Sequence, residues 1–289
     1  VTSFPSVDNT TDQVFVQDAT GKIIHSVNFT DKWYQNELKK DGGWTLEMID
    51  TKNPCSGFSN WIASTDVKGG TPGKKNSMDG ANVDNIAPQL QRAYSTDSVN
   101  VVLVFDEPID VTKAAILSNY TISEGIGQPQ AATAIGPTFN RVALRLNTAL
   151  VRNKVFTVTV TGLTDCVGNS IGSNNTAKLG LASATDSFDV VINEILFNPK
   201  SNGVDYVELY NHTTKIIDLK NMYIANRNTA GAISSITQLS IENYLLFPED
   251  FMVVTSDASI VKRDFIAQNL NAFIEVSSTP SFNDDAGDV

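Results

Sequence analysis

Short runs of alternating apolar and polar side chains, separated by clusters of Gly, Asp, Asn, Ser and Thr, fill most of this chain. Gln13-Val14-Phe15-Val16-Gln17 and Ile23-Ile24-His25-Ser26-Val27 flank Asp18-Ala19-Thr20-Gly21-Lys22, a spacing that predicts a β-hairpin with Gly21 at a positive-φ turn position. Gly69-Gly70-Thr71-Pro72-Gly73 and the residues to Ser77 are too heavily punctuated for the interior of an element, and 79–82 read as a linker. A second unit follows. Val99–Phe105 predicts a strand stopped by Asp106-Glu107-Pro108, since proline cannot continue a ladder. Asn119–Ile122, Arg141–Leu146 and Val155–Val160 predict further strands, about 100 residues in all as an Ig-type sandwich requires. From Phe188 the pattern resumes with Phe188–Leu196, Asp205–Asn211, Ile216–Leu219 and Phe251–Thr255. The one helical stretch expected is Ser259–Leu270, where Ile260, Val261, Phe265, Ile266 and Leu270 share a face. The expected class is all-β: Ig-like β-sandwich modules in tandem.

Composition sharpens this. Hydrophobic residues are 41% and charged residues 18% of 289, a globular balance rich in strand and turn formers. The formal charge of −11 makes nucleic acid an unsuitable partner, because duplex binding depends on basic groups displacing counterions. Lys39-Lys40 and Lys74-Lys75 are concentrated basic pairs and read as solvated loop lysines. No run of 18 apolar residues exists, so no transmembrane segment is expected, and the first residues lack the basic and apolar regions of a signal peptide. Cys55 and Cys166 form no CxxC, which leaves one disulfide or two buried thiols.

Several spaced motifs resemble known families. Val191-Ile192-Asn193-Glu194-Ile195, then Asp205-Tyr206-Val207-Glu208-Leu209-Tyr210-Asn211 and Ile217-Asp218-Leu219, resemble the opening half of a bacterial lamin tail domain. Gly42-Gly43-Trp44-Thr45-Leu46-Glu47, Pro54-Cys55, Asn60-Trp61 and Gly69–Gly73 resemble its closing half. Val104–Asp110, Asn119-Tyr120 and Leu163–Asn169 are similar to the bacterial Ig-like domain found in surface-layer and Bacteroidetes secreted proteins. The resemblance implies three segments: 1–80 a closing half, 81–183 an Ig-like domain, 184–289 an opening half. Pro5–Val14 and Pro280–Val289 share Pro, Ser and Val at equivalent places, as two copies of one central portion would. Gly42–Gly73 and Val191–Leu219 are then expected in one sandwich, within or between chains. An Ig sandwich separates its termini, and an eight-residue linker reaches only ~26–29 Å, which favours completion by a neighbouring copy or module.

The search for chemistry returns little. His25 and His212 are the only histidines, and neither neighbours a nucleophile motif; no catalytic residues are expected. Glu194, Asp205 and Glu208, with Asn193 and Asn211, belong to the lamin tail motif, which implies carboxylates fixing loop amides and not catalysis. Trp44, Glu47 and Trp61 lie in the closing-half motifs, the tryptophans as core anchors, while Trp33 is the expected exposed aromatic. Calcium is the site hypothesis, because hard cations need several oxygen ligands. Asp106, Glu107 and Asp110 form one cluster, Asp165 and Asn169 another, and Asp284, Asp285 and Asp288 a third, although turn capping explains each more simply. In a secreted chain an even cysteine count favours a Cys55–Cys166 bridge, which would lock the closing half to the Ig-like domain.

The expected function is a non-catalytic structural or adhesive module of a secreted or cell-surface protein. Its expected partners are neighbouring copies or adjacent modules of the same protein, and no cofactor is required unless calcium binds. The competing expectation is an accessory region of a secreted hydrolase such as a nuclease or phosphoesterase, since lamin tail domains accompany those.

Overall fold

A computed structural model describes residues 5–228 and 230–280. The expected hairpin forms from β1 (Thr11–Gln17) and β2 (Ile23–Thr30), with Gly21 at φ +86° in its turn. A short helix α1 (Glu37–Lys40) is capped by Asn36, and β3 (Leu46–Met48) pairs antiparallel with β4 (Trp61–Ala63). The interior of this N-terminal unit is unusual. Its described residues bury one apolar side chain, Ala63, against five polar ones: Glu47, Asn53, Ser56, Asn60 and Ser64. Hydrogen bonds hold it instead. Asn60 Nδ2 donates to the carbonyls of Asp50 (2.9 Å) and Asn53 (2.6 Å), while its Oδ1 accepts from the Asp50 amide (2.9 Å) and Asn82 Nδ2 (3.0 Å). A buried amide with both donors and both acceptors satisfied avoids the desolvation cost of burial.

The middle unit is a two-sheet sandwich. Its strands are β5 (Leu90–Ser95), β6 (Asn100–Phe105), β7 (Tyr120–Ile122), β8 (Ala131–Ala134), β9 (Arg141–Arg145), β10 (Phe156–Val160) and β11 (Thr176–Leu179), with a short helix α2 (Val111–Ala114) after β6. One sheet runs β5-β6-β9-β8 and the other β11-β10-β7. The apolar run of β6 has a structural reason. Val101, Leu103 and Phe105 enter the sandwich core, whereas Val102 and Val104 point out of the sandwich into a second cluster with Ile216, Leu245 and Phe247 of the C-terminal unit. A strand buried on both faces has no polar alternate.

The C-terminal unit contains β12 (Val190–Leu196), β13 (Tyr206–Asn211), β14 (Ile217–Asp218), β15 (Tyr223–Arg227), β16 (Ile233–Gln238), β17 (Leu245–Leu246), β18 (Phe251–Thr255), α3 (Ala258–Asp264) and β19 (Phe273–Glu275). Its main sheet runs β12-β13-β18-β19, with β14-β17 and β15-β16 as separate ribbons. Val207 and Leu209 of β13, with Met252 and Val254 of β18, enter the core beside Leu219 and Leu246. The expected helix over 259–270 is shorter: Asp257 caps α3, and Phe265 is already extended at φ −132°, ψ 151°. Ile266 and Leu270 are consequently solvent-exposed rather than on a packed face.

The middle and C-terminal units share an apolar interface with a charged rim. Arg92 and Arg141 both reach Glu242, at 2.9 and 2.5 Å, and Lys178 reaches Asp250 at 2.6 Å. Gly180 lets the chains meet closely, since a Cβ there would sit 2.2 Å from Ile216 Cδ1. The N-terminal unit also contacts the middle one: Ser26 Oγ donates to the Pro137 carbonyl at 2.5 Å. Gly42–Gly73 and Val191–Leu219 share neither a sheet nor a hydrophobic cluster within this chain. The N-terminal and C-terminal units come within reach at an ion pair, Lys32 to Asp257 at 3.7 Å, with the lysine largely exposed. No helix among the described residues is long and apolar enough to cross a membrane.

Candidate functional site

The densest group of functional side chains lies where the N-terminal and middle units join. Asp165 is fully buried and organises its own loop: its Oδ1 accepts the amides of Val167 (3.0 Å), Gly168 (2.7 Å) and Asn169 (2.8 Å), and Oδ2 accepts Asn169 Nδ2 at 2.8 Å. Gly168, at φ +105°, makes that turn possible. Asn169 Nδ2 also donates to the Asp84 carbonyl at 3.2 Å, and Asp84 Oδ2 accepts Ser56 Oγ at 2.5 Å. Segment 79–86 is therefore stitched into both units and is not a free linker. The Cys55–Cys166 disulfide closes the same joint, with Cα atoms 6.3 Å apart.

Glu107 completes the group. Oxygen atoms of Asp84, Glu107 and Asp165 all lie within 4.8 Å of one another. Two unit charges about 5 Å apart repel by about 3 kcal/mol at an effective dielectric of about 20, so three bare carboxylates here oppose one another strongly. Burial, followed by the charges of Asp84, Asp106 and Asp165, pushes the Glu107 carboxyl up to about 8. Its Oε1 is buried and accepts no hydrogen bond.

Of the five calcium candidates, the fold unites Glu107 and Asp165 and brings Asn169 beside them as a donor of its amide. The other two serve turns: Asp106 Oδ1 accepts the Gln89 amide at 2.8 Å, and Asp110 caps α2 through the amides of Thr112 (2.7 Å) and Lys113 (2.9 Å). Asp84 has no motif in the sequence to mark it, because it follows a linker-like stretch and meets the other two only through the fold. The acidic cluster Asp284, Asp285 and Asp288, and most of the segment that resembles the N-terminus, lie outside the described residues.

The lamin-tail motif residues sit on β12 and β13. Glu194 and Glu208 are cross-strand partners in mid-strand, and their carboxylates accept side-chain donors and not loop amides. Glu194 Oε1 accepts the Tyr206 hydroxyl at 2.5 Å and Glu208 Oε1 accepts Asn193 Nδ2 at 2.8 Å. The Asp205 carbonyl accepts Thr255 Oγ1 at 2.9 Å. Asn211 does the turn-fixing work expected of the set: fully buried, it donates to the carbonyls of Lys215 (2.8 Å) and Leu246 (3.1 Å) and accepts from Thr213.

In the N-terminal unit Glu47 is the buried charge. Its oxygens accept Thr71 Oγ1 (2.8 Å), Ser77 Oγ (2.7 Å) and the Met78 amide (3.1 Å). Burial raises its pKa, but these hydrogen bonds outweigh it and hold the carboxyl below the usual range. Trp44 and Trp61 are half-buried and line an open cleft of about 780 Å³ together with Val14, Val27, Phe29 and Leu46. Trp33 is no more exposed than they are: it packs on Trp61 with centroids 6.1 Å apart. The histidines meet backbone carbonyls, His25 that of Pro54 at 3.2 Å and His212 that of Phe188.

The architecture is thus a pair of β-rich units in tandem, joined through a tight interface and preceded by an N-terminal unit of two-stranded ribbons. Residues 79–185 match the model of the bacterial Ig-like domain, and residues 183–287 match that of the lamin tail domain. The two matches lie in tandem, each over little more than a third of the chain. Similar solved structures include the S-layer protein rSbsC(31-844), at 16% identity over 57% of this chain and 26% of that one, with a TM-score of 0.31. The N-terminal part of the bacterial S-layer protein SbsC is similar at 17% identity over 57% of this chain and 45% of that one, with a TM-score of 0.30. The chain thus spans less than half the length of these relatives, and likenesses this slight carry no inference about function. No curated protein matches the sequence.

Proposed function

We propose that this chain is a non-catalytic structural or adhesive module of a secreted or cell-surface protein, whose segments 1–80 and 184–289 are partial lamin tail domains completed by a neighbouring copy or adjacent module. The observation that carries this reading is the interior of the N-terminal unit, where a single buried apolar side chain stands against five polar ones. Its aromatic and aliphatic side chains face an open cleft instead, as the inner face of a sandwich does when the opposing sheet is missing. A complementary surface exists on the C-terminal unit. β12 is an edge strand with one side unpaired, and Ile192 and Ile195 are about two-fifths exposed along it. Such an edge is a template for another chain.

A disulfide between the first two units fits an oxidising compartment, and the placing of both histidines on backbone carbonyls fits a role without catalysis. The mechanism is geometric: sandwiches locked end to end hold other domains at fixed spacing. Sedimentation of the oxidised chain across a wide dilution series tests the completion. Reversible head-to-tail association weakened by Ile195→Lys is expected, and a monomer at every concentration, indifferent to that substitution, would refute it.

A further inference from the structure

We propose that Asp84, Glu107 and Asp165 bind a calcium ion at the joint between the N-terminal unit and the Ig-like domain. Each carboxylate arrives from a different stretch of chain: Asp84 from the segment entering the domain, Glu107 from the end of β6, and Asp165 from the loop clamped by the disulfide. Their oxygens lie within 4.8 Å of one another, and none of the ion pairs among the described residues involves them.

A second, independent observation points to a cation. Glu107 Oε1 is buried and takes no hydrogen bond, although polar atoms buried in folded proteins almost always find a partner. The surrounding donors are already committed: Ser56 serves Asp84, and the amides of 167–169 serve Asp165 Oδ1. No donor of the protein reaches that oxygen. A positive charge between the three groups satisfies that oxygen and removes the mutual repulsion together.

The donor set selects the ion. All three ligands are carboxylate oxygens, and the sulfurs of Cys55 and Cys166 are joined in a disulfide, which disfavours soft or borderline metals. Calcium accepts six to eight oxygens in irregular geometry, with water filling the remainder, whereas magnesium demands a regular octahedron that three separately anchored side chains do not offer. A cleft of about 240 Å³, lined in part by Glu107, Ser56, Trp33 and Trp61, gives the ion and its waters a route in. Because Asp84 is also bonded to Ser56 and Asn169, the ion ties both units and their connection at one point.

The test is calorimetric titration of the chelator-treated, oxidised chain with calcium chloride, alongside thermal melting followed by tryptophan emission. Saturable binding of one ion per chain is expected, with a rise in the tryptophan-monitored Tm that equal magnesium chloride does not reproduce. Glu107→Gln and Asp84→Asn, each checked for wild-type far-UV circular dichroism, should weaken binding by at least about tenfold. Should Glu107→Gln fail that check, Asp84→Asn carries the comparison. Absence of heat and of any Tm change in the wild-type chain overturns the proposal, as does undiminished affinity in a folded variant. An equal response to magnesium overturns the choice of calcium.

Discussion

Removing the Cys55–Cys166 disulfide should loosen the N-terminal unit far more than the rest of the chain. The described residues of that unit form no hydrophobic cluster of their own, and small units without a core depend on staples. The cross-link acts on the unfolded state, and its worth follows from the loop it closes. If the chain unfolds all at once, the loop spans a sequence separation of 111, for which the chain-entropy relation gives about 4.8 kcal/mol. If the Ig-like domain is still folded when the N-terminal unit melts, the loop runs only from Cys55 to the start of β5. About 35 residues then count, and the same relation gives about 3.8 kcal/mol. The assay is provided by the sequence: all three tryptophans, Trp33, Trp44 and Trp61, lie in the N-terminal unit. Urea denaturation of the Cys55→Ser/Cys166→Ser chain, followed by tryptophan-selective fluorescence, should show a loss of about 3–5 kcal/mol. Far-UV circular dichroism, dominated by the two sandwiches, should keep its main transition. A fluorescence midpoint unmoved by the double substitution would refute the reasoning. Equal shifts in both signals would show that the units unfold as one body.

Two further substitutions probe charges inside the fold. Glu47→Gln removes the buried carboxylate held by Thr71, Ser77 and Met78, and should cost about 2 kcal/mol in the tryptophan-monitored transition. Because the folded pKa of Glu47 is depressed, its contribution is complete above the unfolded value of about 4.3 and is lost as pH falls through the folded one. The wild-type chain should therefore lose N-terminal stability in that acid range, with Glu47→Gln showing a flatter profile; parallel profiles would contradict the assignment. Glu242→Gln leaves Arg92 and Arg141 at the rim of the interface between the middle and C-terminal units without their shared anionic partner. With these side chains between a fifth and a third exposed, about 1–3 kcal/mol should be lost in the circular dichroism melt, and a double-mutant cycle with Arg92→Lys should show coupling.

The class of fold was legible from local pattern. Period-two alternation and turn chemistry are set by neighbouring residues, so the hairpin over 13–27 and the strands at 100–105, 141–145, 156–160 and 206–211 appear where their sequences place them. The sequence also showed a continuous apolar run at 101–105, although not the reason for it. Only the tertiary structure decided that Val102 and Val104 turn away from their own sandwich to meet Phe247, because burial on a second face depends on a partner more than 100 residues distant. The same holds for the helix near the C-terminus. Periodicity alone extends it to Leu270, but the chain leaves α3 at Phe265, whose ring packs edge-on against Tyr206, 5.7 Å between centroids.

The candidate site divides in the same way. Glu107 and Asp165 were visible as acidic residues in turn-rich stretches, and Asp110 beside them looked equivalent. Which carboxylates cap turns and which face one another is a matter of direction: Asp110 turns to the amides of its own helix, whereas Glu107 turns inward. Asp84 could not be found from spacing, since it meets its partners only when a non-repetitive segment is pinned by Ser56 and Asn169. Sequence determined the strands, the turns and the pool of charged groups through short-range chemistry. Long-range packing chose which of those groups share one buried point, because repulsion and desolvation depend on distances that only the folded chain defines.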